Sequence, residues 1–408
     1  MTDFERIIQL FINGAMGIKT NVDASFEIDA LLSLAQEHNM YYSVLSAILM
    51  CNDEELGLSA EKSAKLREDL KNTRLRTYVR MMHLYDILKQ FENENIPYAL
   101  LKGNTVAVLY SDPCSRISGD VDLLINPKDE KRASELLLKN GFIQQKIRMD
   151  DDKHGILVHP VIGMLELHIS LYNENTGEVW FNDAKDHFDV EIENFSFEDI
   201  EKVQIDDMYF YTLEINKRIE YLFLHNVKHF ILGGSSIRAV MDFFLTYINC
   251  PGIDYSLFYE KVKRMKFETV FNVMITSVEK FLDMDKIDVP YYKKCGKELV
   301  KLFFEDMENG KWLGYGADGK TDGSWQVFEE TKKKNKKKSK INTFLRYVFP
   351  PVKRLKNNYK YSMRHPVLLP IAWFHRLIRV CLGKTKLEKV GNSNRTRVEL
   401  LKTFGLTK

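Results

Sequence analysis

Two short runs of alternating polar and apolar residues, Asp120–Ile125 and Gly163–Leu171, constrain the fold of this chain more than any other feature. A strand sends successive side chains to opposite faces of its sheet. Asp120 and Asp122 therefore share one face, and Val121, Leu123 and Ile125 share the other. On the later run, Glu166, His168 and Ser170 oppose Leu165, Leu167, Ile169 and Leu171. Both runs need a sheet with one side in an apolar core and the other side carrying acids. Around them, Tyr98–Leu101 reads as a short apolar strand and Gly103 to Tyr110 as a helical stretch. Asp112 to Gly119 is turn chemistry, and Pro127 opens a helix that stops at Asn140-Gly141. Strand, helix, strand, helix, strand within about 75 residues predicts a small α/β domain, with extended segments continuing to about Met208.

Helical patterns flank this core. Before it, apolar residues recur at helical spacing from Ile28 to Asn39. They recur again from about Ala60 to Glu94, with Leu66, Leu70, Leu75, Val79, Met82, Leu84 and Leu88 near one stripe. Pro97 ends that pattern, because the residue before proline resists the helical region. After the core, helices are expected over Glu220–Ile231, Ser236–Asn249, Tyr255–Lys266, Glu268–Leu282 and Tyr291–Phe304, then a loop from Gly310 to Ser324. The expected organisation is α+β: an N-terminal helical region (1–96), an α/β core (97–210), a C-terminal helical domain (211–310), and a basic linker and tail (311–408). No internal repeat is visible.

Charge separates the tail from the rest. From Thr331 to Lys408 there are 22 Lys and Arg against two acids, a balance of +20 within a chain whose net charge is +2. The first 330 residues then hold 37 basic and 55 acidic side chains, a balance of −18. A basic tail on an acidic body favours an anionic partner, whether a membrane surface, nucleic acid or the body itself. The run Lys332–Lys340 reads as a solvated linker. Beyond it, Val367–Phe374 is apolar, contains Trp373 and is flanked by Arg364, Arg376 and Arg379. That segment either lies in the interface of an anionic membrane or docks on the body. No apolar run approaches the ~20 residues of a membrane-spanning helix. The opening MTDFERIIQLFING lacks the basic-then-apolar order of an export signal. Five scattered cysteines (Cys51, Cys114, Cys250, Cys295, Cys381) suit reduced thiols. A cytoplasmic protein, with peripheral contact at the inner membrane face through its tail, is the expectation.

The acids carry the chemistry. If the two alternating strands lie side by side, Asp120, Asp122 and Glu166 converge on one spot, where they would repel one another and raise one another's pKa. A divalent ion, Mg²⁺ or Mn²⁺, removes that repulsion and brings substrate phosphate oxygens into the same coordination sphere. Lys102-Gly103-Asn104 sits where a strand gives way to a helix. Glycine there lets a phosphate approach the backbone, and Lys102 and Arg116 can add positive charge. Arg116 can equally pair with an acid of the body.

These segments resemble a known family. Leu101-Lys-Gly-Asn104, Tyr110-Ser-Asp-Pro-Cys-Ser-Arg116, Gly119-Asp-Val-Asp-Leu-Leu-Ile125 and Leu165-Glu-Leu-His168 are similar to the bacterial nucleotidyltransferase-like family of the polymerase-β superfold. The resemblance is closest over roughly 95–250 and looser at the ends. It implies that Gly103 is the turn glycine, that Asp120 and Asp122 bind metal, and that Glu166 is the third acid. It reaches His225-x-x-x-His229 and Arg238-x-x-x-Asp242, and in the tail Phe349-Pro-Pro and Ala372-Trp-Phe-His-Arg376. Gly103-Asn104 departs from the superfold's usual Gly-Ser or Gly-Gly. The implied activity is transfer of a nucleoside monophosphate from a triphosphate such as ATP to an acceptor, a sugar or glycan precursor by the same resemblance, with release of pyrophosphate. A nucleotide-binding scaffold without turnover, serving cell-envelope assembly, is the alternative. A nucleic-acid partner is disfavoured, because the body is acidic and the core offers no basic–aromatic platform.

The remaining polar residues have two readings each. His168 shares the acids' face and either orients a carboxylate, acts on substrate, or is a hydrogen-bonded structural residue. His225 and His229 lie one helical turn apart, and a helix pair beside the site is favoured over a separate zinc centre. Arg238 and Asp242 are also one turn apart, so an intrahelical ion pair is expected.

Overall fold

The computed structural model describes residues 1–20, 27–144, 155–169, 171, 197, 199–232, 234–282, 287–310, 349, 366–381 and 399–406. The chain divides into two compact units. One comprises 1–146, 153–229 and 234–314, and the other 147–152, 230–233 and 315–408.

Among the described residues, the first unit is built on one mixed sheet of seven strands: β1 (Tyr98–Leu100), β2 (Asp120–Ile125), β3 (Ile143–Gln144), β4 (Gly155–His159), β5 (Gly163–His168), β6 (Ile200–Ile205) and β7 (Met208–Leu213). Their order is β3-β4-β5-β2-β1-β7-β6. β2 runs parallel to β5 and β1 parallel to β7, and the other neighbours are antiparallel. The period-two alternation explains which face each residue takes. Val121, Leu123, Ile125, Leu165 and Leu167 enter a buried core with Tyr98, Leu100 and Phe210. That face is covered by α4 (Ala60–Asn93) through Met81, Leu84, Leu88 and Phe91, and by α6 (Glu130–Lys139) through Ala133, Leu136 and Leu137. The opposite face carries the acids and, farther along, a smaller cluster of Ala99, Leu101, Leu124 and Leu213 covered by Tyr221.

α4 has 34 residues, is capped by the Ser59 hydroxyl accepting from the Lys62 N–H, and ends four residues before Pro97. At 1.5 Å per residue it is about 51 Å long, longer than the sheet it packs on. Its apolar face consequently differs from the stripe read from sequence: Leu75 and Met82 are exposed, while Ile87 and Phe91 are buried. Before α4 come the N-terminal helices α1 (Asp3–Met16), α2 (Ile28–Glu37) and α3 (Tyr41–Ile48); the first half of α4 meets α3, with Tyr41 donating to Asp69 at 2.5 Å, and α2, through Lys62 and Asp29. Gly14 lets α1 touch α3, since a Cβ there would meet the Ser43 carbonyl oxygen at 2.0 Å.

After the sheet come α7 (Ile215–Leu232), α8 (Ile237–Asn249), α9 (Tyr255–Arg264), α10 (Glu268–Glu279) and α11 (Lys297–Gly310). α7 begins earlier than its periodicity suggests, because the Glu214 carboxylate accepts from the N–H groups of Asn216 and Lys217 at 2.9 and 2.7 Å. α7 to α10 join through rings, with Phe223, Phe243, Tyr247, Phe258 and Phe271 in mutual contact. The last helix starts later than Tyr291. That residue is left-handed (φ 62°) and its ring stacks on Tyr259, which breaks the expected continuity. Residues 311–348, including the expected loop and the lysine run, lie outside the described residues.

In the second unit, the apolar tail segment enters a helix, α12 (Leu369–Cys381). Ala372 is buried and Trp373 packs edge-on against Phe349, with ring centroids 5.3 Å apart. Val367, Ile371, Phe374 and Ile378 are exposed. Among the described residues, no helix is long and apolar enough to cross a membrane. Cys51 and Cys114 are buried and Cys250 and Cys295 half-buried, all four as free thiols.

Candidate active site

Asp120 and Asp122 open β2 because the chain leaves the Pro113–Ser115 turn and must enter the sheet beside β5. The parallel register sets Asp122 directly opposite Glu166, Asp120 opposite Met164, and Leu124 opposite His168. Neighbouring strands lie about 4.8 Å apart, so side chains on a shared face meet. One oxygen each from Asp122 and Glu166 and one ring nitrogen of His168 lie within 4.8 Å of one another. His168 Nε2 is 3.1 Å from Asp122 Oδ1 and 3.7 Å from Glu166 Oε2. Asp122 is the floor of the cluster, with a side chain 4% exposed, whereas Asp120 (24%) and Glu166 (30%) keep edges open to solvent. Ser170 lies outside the described residues, and β5 ends at His168.

Lys102 is central to this arrangement. Its ammonium lies 3.1 Å from Asp122 Oδ2 and 3.5 Å from Asp120 Oδ2, and its side chain is only 15% exposed. Burial works against that charge, but the two aspartates outweigh burial and hold the lysine pKa above its ordinary value. Burial would likewise push the Asp122 carboxyl up, yet Lys102 and the His168 hydrogen bond hold it far below the usual range. Glu166 goes the other way: burial raises its pKa, and the charges of Asp122 and Asp120 add to that, with His168 opposing. One lysine therefore does not neutralise the three acids.

Gly103 follows with φ 76° and ψ −113°, a conformation in which a side chain is strained, and a Cβ would also meet Ser118 Oγ at 3.3 Å. The helix it opens, α5 (Asn104–Ala107), is shorter than the stretch to Tyr110 expected from sequence. Four residues sum to little dipole, so any anion grip here rests on backbone and side-chain donors. Asn104 Nδ2 and Thr105 Oγ1 are buried there without a hydrogen-bond partner.

Arg116 is placed differently from the phosphate role suggested for it. Its guanidinium is buried and paired with Asp242 through Nε at 3.1 Å and through Nη2, and Tyr110 donates to the same carboxylate at 2.8 Å. The intrahelical Arg238–Asp242 pair is replaced by this one. Arg238 instead donates to the Ile117 carbonyl at 2.9 Å. Burial and the neighbouring Arg116 push its pKa down to about 10. Arg80, which the sequence reading did not single out, donates from α4 to the Ser118 carbonyl, and Ser118 Oγ donates to the Asp120 carbonyl at 2.7 Å. Two arginines from distant helices thus brace the loop that delivers Asp120. Nothing in the local sequence marks Arg80, one basic residue among many on a long helix.

α7 brings a row one turn apart onto the acid face. Tyr221 packs with Leu124, His225 stacks on Tyr221 with centroids 5.8 Å apart, and His229 meets His225 at 4.4 Å. Both histidines are held below the ordinary range by loss of hydration and then by the charge of Lys102. Neither histidine is part of the group that approaches metal-ligand spacing among the described residues.

Residues 24–283, well over half of the chain, match the family described as uncharacterised nucleotidyltransferase. The chain belongs to that family. It is a nucleotidyltransferase on a mixed α+β core, and nucleotide is its substrate. No curated protein matches it. A solved structure, the lincosamide antibiotic adenylyltransferase LnuA with lincomycin bound, is similar at 15% identity over 45% of this chain and 95% of that one. With a TM-score of 0.25, that likeness is too low to carry an argument.

The donor set of this nucleotidyltransferase suits a divalent cation. Three carboxylates share one face, Asp122 Oδ2 is buried with an ionic contact but no hydrogen bond, and Glu166 is left with unbalanced negative neighbours. Oxygen-rich sets of this kind match Mg²⁺ or Mn²⁺, and the His168 nitrogen suits Mn²⁺ as well.

Proposed function

We propose that the chain transfers a nucleoside monophosphate from a nucleoside triphosphate to a hydroxyl-bearing acceptor and releases pyrophosphate. The observation that supports this most is the direct pairing of Asp122 with Glu166 across β2 and β5, with Asp120 on the same face. Asp120, Asp122 and Glu166 would hold the divalent ion, which supplies Lewis-acid stabilisation of the reacting phosphate and a more acidic attacking hydroxyl. Lys102 and the Gly103-Asn104 turn bind the triphosphate, the glycine by allowing close backbone approach and Asn104 through its unpartnered amide. His168 fixes the Asp122 carboxylate through its ring nitrogen. Glu166, which keeps a solvent-open edge and lies beyond the direct ion pairs of Lys102, would take the proton from the acceptor hydroxyl. The acceptor oxygen bonds to the α-phosphorus as the bond to the bridging oxygen of pyrophosphate breaks, and the electron pair leaves with pyrophosphate. Sugars and glycan precursors are the acceptor class suggested by the family resemblance.

Pyrophosphate release from each of the four triphosphates, with Mg²⁺ or Mn²⁺ and cell extract as acceptor source, tests this proposal. Release by wild type and none by Asp120→Ala plus Asp122→Ala supports transfer. Tight nucleotide binding without release favours a non-catalytic scaffold in cell-envelope assembly.

The tail supports a second contact, with an anionic membrane surface. Val367, Ile371, Phe374 and Ile378 are spaced four, three and four residues apart and all are exposed, within a tail of +20 charge. An amphipathic helix with basic flanks binds such a surface through apolar burial and charge together. Phe374→Ser with Ile371→Ser should cut sedimentation with anionic liposomes by at least about tenfold. Equal sedimentation of variant and wild type rejects the contact.

A further inference from the structure

We propose that Lys102 is an internal counter-cation competing with the divalent ion for Asp120 and Asp122, so that metal binds well only once a triphosphate has drawn the ammonium away. This rests on the nucleotidyl-transfer reading and adds an order to it: nucleotide and metal load together, each poorly without the other.

Geometry carries the inference. The ammonium lies on Asp122 Oδ2 at 3.1 Å and within 3.5 Å of Asp120 Oδ2, in the space between the two carboxylates that a shared cation would enter. The other Asp122 oxygen is taken by His168 at 3.1 Å, so a cation approaching Asp122 must displace one of these two contacts. A dication repels an ammonium at such range, whereas an imidazole nitrogen can itself serve as a ligand, so Lys102 is the partner that yields. Lys102 also has somewhere to go. It immediately precedes Gly103, whose turn holds the unpartnered donors of Asn104 and Thr105. Rotation about its four-carbon stem carries the charge from the acids to phosphate oxygens held at that turn, with no backbone change. The ammonium exchanges carboxylate for phosphate, and the acids are freed for metal. By linkage, the factor by which nucleotide tightens metal is the factor by which metal tightens nucleotide.

Binding of Mn²⁺ to the full chain, followed by electron paramagnetic resonance, tests this. Measurements are made with and without α,β-methylene analogues of the four triphosphates, on wild type, Lys102→Met, Lys102→Arg and Asp122→Asn. Wild type should bind Mn²⁺ alone weakly and at least about tenfold more tightly with an analogue, after correction for Mn²⁺ held by free analogue. Lys102→Met should bind Mn²⁺ alone on the order of tenfold more tightly than wild type and lose most of the gain from nucleotide. Lys102→Arg, which keeps the charge, should bind Mn²⁺ alone as weakly as wild type. Unchanged or weaker Mn²⁺ binding in Lys102→Met overturns the inference and makes Lys102 a structural partner of the acids. A wild type whose Mn²⁺ affinity ignores nucleotide overturns it without recourse to any variant. If wild type and Asp122→Asn alike fail to bind Mn²⁺ even with nucleotide, the metal-dependent transfer reading falls as well.

Discussion

Asp122 and Asp242 are both buried carboxylates beside a cation, and their surroundings could hardly differ more. Asp242 receives two nitrogens of Arg116 and the hydroxyl of Tyr110, so its lone pairs are used and its charge is matched. Asp122 has one lysine and one histidine, and shares that lysine with Asp120 while facing Glu166. The first is a closed pair that ties α8 to the loop before β2. The second is an acid cluster in which one lysine touches two carboxylates, arginines act on Asp120 through charge alone, and two edges stay open to water. A buried acid that the fold has finished pairing holds structure together. One that the fold leaves under-neutralised is poised to take a cation from outside.

Breaking each carboxylate should therefore do different damage. Asp122→Ala should lower metal-dependent pyrophosphate release by about a thousandfold or more, because it removes the deepest of the metal-facing acids. Its thermal melting should fall less than that of Asp242→Ala, because Lys102 keeps Asp120 as a partner; an equal or larger fall would make Asp122 a structural residue instead. Asp242→Ala should cost about 3–5 kcal/mol of folding stability by stranding the buried Arg116 guanidinium, measured by denaturant titration. A change under about 1 kcal/mol would show that the pair is dispensable. Gly103→Ala falls between, at about 1–3 kcal/mol from its positive φ, with a higher KM for nucleotide than wild type as the second readout.

The smallest effect concerns pH. Glu166 has its pKa raised in the folded chain, so its stabilising share is fully present while it is protonated and is lost as pH rises above about 4.5 through the raised value. Asp122 has the opposite sign: its pKa is lowered, so its share persists above the ordinary aspartate range and is lost only in strong acid. In the presence of a chelator, Glu166→Gln should therefore melt higher than wild type at neutral pH by roughly a degree or two, with the gap closing toward pH 4. Added Mn²⁺ should reverse the order. An equal melting temperature for both proteins across that range would mean that Glu166 is already balanced.

The acid cluster was legible because a strand's period of two fixes its faces. Once Val121 and Leu165 are assigned to a core, Asp120, Asp122 and Glu166 have no choice of side, and only the β2–β5 pairing needed coordinates. The arginines were not legible, since their partners are set by distance in space. Arg116 and Asp242 are 126 positions apart, while the helical spacing of Arg238 and Asp242 suggests a local pair that the Ile117 carbonyl outcompetes. The inward turn of Lys102 is hidden in the sequence for a related reason. A lysine at a strand end usually reaches solvent, and only the closeness of two carboxylates turns it inward. The length of α5 was overread because apolar spacing through Tyr110 looks helical, whereas the Tyr110 side chain is drawn to Asp242 and the chain turns after Ala107.

The most direct test is label transfer from α-labelled triphosphates into cell-extract acceptors by the purified full chain, with and without chelator. A labelled product that requires Mg²⁺ or Mn²⁺ and disappears in Asp120→Asn plus Asp122→Asn is the expected result. Transfer that continues in that double variant, or in the presence of chelator, would contradict a catalytic role for the acids of β2.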